Sequence, residues 1–411
     1  MTIDLSTSAA DGVATAIDVA AERERTVGTR RRHYFNAAGA GLPSDAVVEA
    51  VIDHLRTEQH VGGYEAANRA APALDGVYAD AASLLNAQPD EIALFDSATT
   101  GLRVVFDALR LGRGDTVIAP RSSYVSQALR LLSLRDYDGV ELVVLPNGAD
   151  GALDLDALDE ALHAAGPGAV LSAVHVPTSS GLVEPIEEIG RIARAHGARY
   201  ILDATQSVGQ ICIDVDRVGC DVLVTTGRKF LRGPRGTGFA FLRRSFLDQL
   251  APWAPDVRGS DWTGFDEWMM SSPARKLETW ESSVAGRVGL GVALREALER
   301  GLPATERHLV DLGVDLRDRL AGITGVEIAD PPRSPSSIVT FTVAGHAPRD
   351  IAAALRERRI DSIAIPAGHA QWDLGDRGLP GVVRLSPHVY NDETDATALL
   401  DAVADLARQV R

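Results

Sequence analysis

The sequence predicts an α/β protein: a mostly parallel seven-stranded sheet covered by helices on both faces, followed by a smaller α+β domain. Strand-like and helix-like runs alternate from Glu91 to Leu242, the pattern of a sheet built from crossover units. The chain has 411 residues, more than one hydrophobic core usually supports. Hydrophobic residues make up 45% of it, enough to bury a large core. The formal net charge of −16 argues against nucleic acid or an anionic membrane as general partners and leaves room for a local basic pocket. Cys212 and Cys220 form neither a metal-ligand spacing nor a disulfide framework, so no metal is expected and the cytoplasm is the expected compartment. The first 30 residues lack the apolar centre of a signal peptide. No apolar run approaches the ~18 residues that would span a bilayer.

In chain order, residues 1–30 are small, polar and charged, and a loose tail is expected there. Order is expected to begin near HYFNAAGAGLP, where Tyr34 and Phe35 anchor the chain and Gly39 and Gly41 permit a turn or a close approach. Residues 31–45 are read as a segment packing near the active site. Residues 46–57 have helical spacing, and a glycine turn in HVGGYEAA leads to a second helical pattern ending at Leu85. Strands are predicted at 92–95, 116–119, 141–145, 169–174, 199–202, 222–225 and 238–242. Helices are predicted at 100–111, 123–134, 155–164 and 186–195. Residues 251–281 carry four of the five tryptophans and no clear period, as in a functional or interface loop. A helix over 286–300 bridges onward, so 46–285 is expected to be the large domain and 286–411 the small one.

Ligands of such sheets bind beyond the carboxyl ends of the strands, so the residues there carry the function. The stretch DVLVTTGRKFLRGPRGTGFA holds Lys229, one of only two lysines among 41 basic residues. Lysine can lose its proton and attack a carbonyl, whereas arginine stays charged. An ordinary surface lysine on a turn is the other reading. Asp203 ends the apolar strand in RYILDATQ. It fits either a helix cap or the acidic partner that a protonated pyridine nitrogen requires. Gln206 stands three residues on. DSATTGLR opens a helix whose free N–H groups suit an anion or an ordinary cap. Tyr124 in APRSSYVSQ is placed to stack on a planar group or to pack under a loop, and Thr178 in HVPTSSGLVEP lies in a hydroxyl-rich turn. Each feature alone has a plain structural reading. Their joint occurrence, in order and each at a strand end, points to pyridoxal 5′-phosphate (PLP).

RYILDATQSVGQ, TTGRKFLRGPRGTG, YFNAAGAGLP and VVRLSPHVYND resemble the class V aminotransferase family of fold-type I PLP enzymes. The resemblance spans roughly residues 31–410. It implies Lys229 as the Schiff-base lysine and Asp203 and Gln206 as partners of the pyridine nitrogen and phenolic oxygen. It implies Thr99, Thr100 and Thr226 at the phosphate, Tyr124 in the stacking position and Thr178 at the cofactor. It gives Arg384 to the substrate carboxylate, which a guanidinium fork binds bidentately. It implies a homodimer with composite sites, in which Ser283 of WESSVAG reaches the neighbour's phosphate. Arg235 and His369, with His33, His60, Tyr64 and Trp372, are candidates to line the substrate pocket. Arg228 departs from the histidine that many members have there, and Thr178 from the desulfurases' asparagine. Residues 368–371 lack the cysteine that a desulfurase uses to take up sulfur. The sequence resembles most the branch of hercynylcysteine sulfoxide lyase and isopenicillin N epimerase-like proteins. The expected reaction is β-elimination from an S-substituted cysteine or its sulfoxide. Transamination (or a transamination-like deamination) and epimerisation are the alternatives. A non-catalytic relative is disfavoured, because Lys229, Asp203 and Arg384 are all present.

Overall fold

The larger sheet contains β1 (Ile92–Phe95), β2 (Thr116–Pro120), β3 (Glu141–Leu145), β4 (Val170–Val174), β5 (Arg199–Asp203), β6 (Val222–Thr226) and β7 (Gly238–Leu242). This is a computed structural model and it describes residues 16–271 and 273–409. The strand order is β1-β7-β6-β5-β4-β2-β3. Every neighbouring pair is parallel except those of β7, which runs antiparallel to both β1 and β6. The predicted α/β class and mostly parallel sheet are therefore what the structure shows.

The sheet is apolar because both faces are covered. Tyr200, Leu202 and Leu223 face one core with Ile189, Val218 and Leu290. The intervening Ile201, Val222 and Val224 face a second core with Val105, Phe106 and Leu131. Three predicted strands extend by one residue, to Pro120, Asp203 and Thr226. Asp203 is the last paired residue of β5, opposite Val174 and Val224. The helix expected from residue 100 begins earlier, as Ala98–Ala108, because the Ser97 hydroxyl caps it by accepting from the Thr100 N–H at 3.1 Å.

The long helix Val284–Arg300 packs on helices Asp45–Val61 and Gly63–Leu85. A second sheet of β8 (Val326–Ile328), β9 (Val339–Val343), β10 (Ile363–Pro366) and β11 (Gly381–Leu385) has the order β8-β9-β11-β10 and is antiparallel throughout. The stretch His33–Tyr34 pairs in parallel with Ile360–Asp361, and Asn36 bridges to Ser386. The N-terminal segment thus joins the second sheet's side of the molecule.

Two expectations need correction. Residues 16–30 are not a loose tail. Helix Val19–Glu24 and the turn Val27–Arg30 are packed in place by ion pairs, with Glu22 buried against Arg232 and Arg300. Residues 1–15 lie outside the described residues. The tryptophan-rich stretch holds regular structure too: Ser260–Trp262 and Trp268–Met270 form an antiparallel hairpin with Trp262 opposite Trp268. No helix among the described residues is long and apolar enough to cross a membrane.

Candidate active site

The parallel strands β4, β5 and β6 end at one edge, which brings Thr178, Asp203 and Thr226 together. The chain then turns between β6 and β7, and Lys229 sits in that turn. The turn is closed by backbone bonds from Gly227 N–H to Thr237 O (2.9 Å) and from Gly233 N–H to Gly227 O (2.7 Å). Arg232 completes it in the left-handed region at φ +64°. The N-terminal segment crosses over the turn. Gly41 donates to the Arg228 carbonyl at 2.8 Å, and a Cβ at Gly41 would lie 2.5 Å from the Lys229 carbonyl oxygen. A close approach, rather than a positive φ, requires that glycine.

Lys229 is buried in a cavity also lined by Tyr124, Thr178, Asp203, Gln206 and Arg228. Its amine lies 5.9 Å from the Tyr124 ring centre. Burial, with Arg228 and Arg384 adding to it and Asp203 opposing, lowers its pKa to about 7. Burial raises the pKa of Asp203 against the hydrogen bonds of Thr205 and the charge of Lys229. The Asp203 carboxylate accepts from the Thr205 N–H at 2.9 Å. Arg384 is buried and donates to the Thr178 hydroxyl (2.5 Å) and carbonyl (3.2 Å) and to Asn36 Oδ1 (3.2 Å). Burial lowers its pKa to about 10, so it remains a cation at neutral pH.

Other expected residues spread more widely. Thr99 lines the cavity. Thr100 is exposed, its hydroxyl 3.1 Å from that of Ser97. Thr226 lines the cavity and its hydroxyl donates to the Thr237 carbonyl at 3.1 Å. Gln206 Nε2 donates to Ala38 O (3.2 Å) and Thr178 Oγ1 (3.3 Å). Ser283 caps helix Val284–Arg300 and is not in the cavity wall of its own chain. None of the six candidate pocket residues is in that wall. His33 is bound to Asp395 and His60 to the Arg56 carbonyl. Tyr64 lines a separate groove, and Trp372 packs against the second core. Arg235 and His369 are exposed. The cavity adds Ser97, Gln127 and Thr205, and Asn36 meets Arg384 from outside that wall. Ser97 and Thr205 were legible as the cap and strand-end positions beside named residues; Asn36 and Gln127 arrive through long-range contacts.

The profile described as Aminotransferase class-V matches residues 33–399. The chain belongs to the class V aminotransferase family. It is a PLP-dependent enzyme. A probable cysteine desulfurase of Methanothermobacter thermautotrophicus is 27% identical over 93% of this chain and 97% of its own length. A probable hercynylcysteine sulfoxide lyase of Mycobacterium tuberculosis is 30% identical over 90% and 89%. Among solved structures, the apo cysteine desulfurase of Thermococcus onnurineus NA1 has a TM-score of 0.89 at 24% identity, covering 97% of this chain and 100% of that one. The cystine C-S lyase C-DES, solved with its product cysteine persulfide, has a TM-score of 0.82 at 22% identity, covering 92% and 99%. These two likenesses show the fold.

The cavity fits the family's cofactor. Among the described residues, Asp203 is a buried carboxylate that lacks a cation in hydrogen-bond contact. Gln206 Oε1 and Arg384 Nε are buried without partners there. Buried polar atoms normally have partners, and a polar cofactor with its substrate would supply them.

Proposed function

We propose that this enzyme is a C–S β-lyase acting on an S-substituted cysteine or its sulfoxide. The observation that carries the reading is a cavity whose wall holds a proton-accepting lysine but no thiol, with the buried Arg384 behind it, bonded to the wall residue Thr178. Cys212, exposed, and Cys220, buried, are both outside the cavity wall; desolvation, joined at Cys212 by the neighbouring Glu306, pushes both thiols up to about 12. A thiol that stays protonated is a poor nucleophile for sulfur uptake. The names of the relatives, both desulfurase and sulfoxide lyase, support C–S chemistry.

Asp203 would pair with the pyridine nitrogen and Gln206 with the phenolic oxygen, its amide turned to present N–H. Thr178 would lie beside Gln206, and Tyr124 would cover the ring. Thr99, Thr100 and Thr226 would hold the phosphate with the N-terminus of helix Ala98–Ala108. Ser283 of a second copy would complete that cradle in a homodimer. Bound PLP supplies an electron sink for charge developing at the substrate Cα. Arg384 holds the substrate carboxylate. Lys229 Nζ takes the Cα proton. The electron pair left at Cα forms the Cα–Cβ double bond, the Cβ–S bond breaks, and sulfur leaves with its pair and receives a proton. Hydrolysis of the released aminoacrylate gives pyruvate and ammonia. Free cysteines in a protein with this architecture suit a reducing compartment such as the cytoplasm.

The test is turnover of S-alkyl cysteines and their sulfoxides with no keto acid added. Many equivalents of pyruvate and ammonia per active site are expected. A single half-turnover rescued by a keto acid would replace the lyase with the aminotransferase. Racemised substrate without ammonia would replace it with the epimerase.

A further inference from the structure

Of the arginines in the cavity wall, Arg103 is exposed and Arg130 is paired with Asp107, which leaves Arg228 as a half-buried cation that this reading gives no task. It precedes Lys229 and lines the same cavity. Its guanidinium donates to the Gly39 carbonyl. The ionisable groups bearing on it are Arg235, Tyr124 and Tyr34, with no carboxylate among them. Arg384 likewise answers to Tyr124, Tyr34 and Arg228, and its Nε is buried with no partner among the described residues. Arg228 and the Lys229 amine share one wall, and Arg384 lies behind it on Thr178, close enough for both guanidiniums to act on that amine, in a chain whose formal net charge is −16. Their one opposing carboxylate is Asp203, at the end of β5. Holding unpaired cations together out of water is costly, and the cost is recovered when an anion binds.

One α-carboxylate occupies one guanidinium fork, and Arg384 takes it. The phosphate cradle begins at Ser97, whereas Arg228 is bonded to Gly39 on the side of the N-terminal segment and Arg384. Arg228 is thus turned toward the substrate side of the cavity. We propose that Arg228 seats a second anionic group, so that the preferred substrate is a cysteine whose sulfur carries an acidic chain. Arg235, exposed on the same turn, adds positive charge near Arg228. This rests on the C–S lyase reading for the sulfur, while the recognition of two anions is a property of the arginines themselves.

Binding of unreactive acids to the holoenzyme separates the two. Adipate spaces its carboxylates as S-carboxymethylcysteine does, and hexanoate lacks the second one; neither has an amine or a sulfur to react. Calorimetry should show adipate binding at least about tenfold tighter than hexanoate, the worth of one charge-assisted hydrogen bond. Arg228→Gln should bring the ratio to about one, and Arg228→Lys should keep part of it. Bound cofactor, read by its absorbance after gel filtration, should be retained in both. Equal binding of the two acids by the unaltered enzyme overturns the proposal, as does a ratio that survives Arg228→Gln. Loss of cofactor from Arg228→Gln instead assigns Arg228 to the phosphate. Should Arg228→Gln not fold, the ratio in the unaltered enzyme and in Arg228→Lys still decides. An adipate preference in an enzyme that releases no pyruvate from any S-substituted cysteine leaves the anion seat standing and removes the lyase reading.

Discussion

An amine with a pKa of about 7 is about half unprotonated at neutral pH, which is what a Cα general base requires. Lys229 reaches that value through burial first and the neighbouring guanidiniums second. Turnover is expected to fall as pH drops below about 7, because the base becomes protonated. Removing a neighbouring cation in Arg228→Gln should move that acid limb upward, and a pH–rate profile of both proteins measures it. An unmoved limb would assign the limb to another group. Lys229→Ala should abolish turnover, and borohydride should no longer fix the cofactor covalently to the chain. Asp203→Asn should keep the cofactor, held mainly through its phosphate, while turnover falls at least about a hundredfold as the electron sink weakens; unchanged turnover would place Asp203 in another role. That Lys229, Asp203 and Gln206 meet in one cavity was legible because Asp203 ends a strand and the other two follow strand ends within three residues, on neighbouring parallel strands. The pocket residues were not. His33 and His60 sit in stretches with no such constraint, and the structure spends their rings on Asp395 and on a helix carbonyl. Lys276 is a caution of the same kind: its amine donates to the buried Leu247 carbonyl at 2.6 Å, so a scarce lysine can also be structural.

Strands and long helices were legible because their periodicity is enforced by burial; β4, β6 and β7 are buried at every residue. Helix Val19–Glu24 was missed because six residues are too few to show a period, and what holds it is charge. Glu22 accepts from Arg232 at 2.6 Å and from Arg300 at 2.9 Å. Arg232 also donates to Thr26 and Leu42. On the other side Arg23 pairs with Asp392 and Asp395 at the start of the last helix. One short helix therefore ties the lysine turn to the C-terminal helix. Burial pushes the Glu22 carboxyl up, but Arg300 and Arg232 outweigh it and hold the pKa at about 2. A folded-state value below the unfolded one contributes stability above the unfolded pKa, and that stability is lost as pH falls. The shift corresponds to about 3 kcal/mol. Glu22→Gln should lower the unfolding free energy at neutral pH by that order, read as a lower urea midpoint. The gap from the unaltered protein should close as pH falls from the ordinary carboxylate range toward about 2. Equal midpoints at neutral pH would mean that the clamp adds no net stability.

At the scale of the whole molecule, one chain leaves a large apolar surface uncovered. Trp262, Phe265, Trp268 and Met269 of the hairpin are exposed, as are Trp280 and Tyr64 beside the groove that Tyr78 and Leu74 line. Patches of this kind mark interaction sites, and aromatics are enriched in interfaces. Ser283 lies just past Trp280, at the N-terminus of the 17-residue helix Val284–Arg300. Free N–H groups there suit a phosphate, yet Ser283 is not in its own chain's cavity wall. A homodimer that places Ser283 at the neighbour's cradle accounts for both facts. Ser283→Asp tests it cleanly, because aspartate is as good a helix cap as serine while its charge repels a phosphate. Ser283→Asp and Lys229→Ala homodimers should each be impaired. In a hybrid of the two, both substitutions fall in the same composite site, and the other site receives Lys229 from one chain and Ser283 from its partner. Purified hybrids should then recover about half of the unaltered activity, one good site of two. Hybrids no more active than their parents would show that Ser283 does not cross to a neighbouring site, and full activity in the Ser283→Asp homodimer would show that it does not face the phosphate at all.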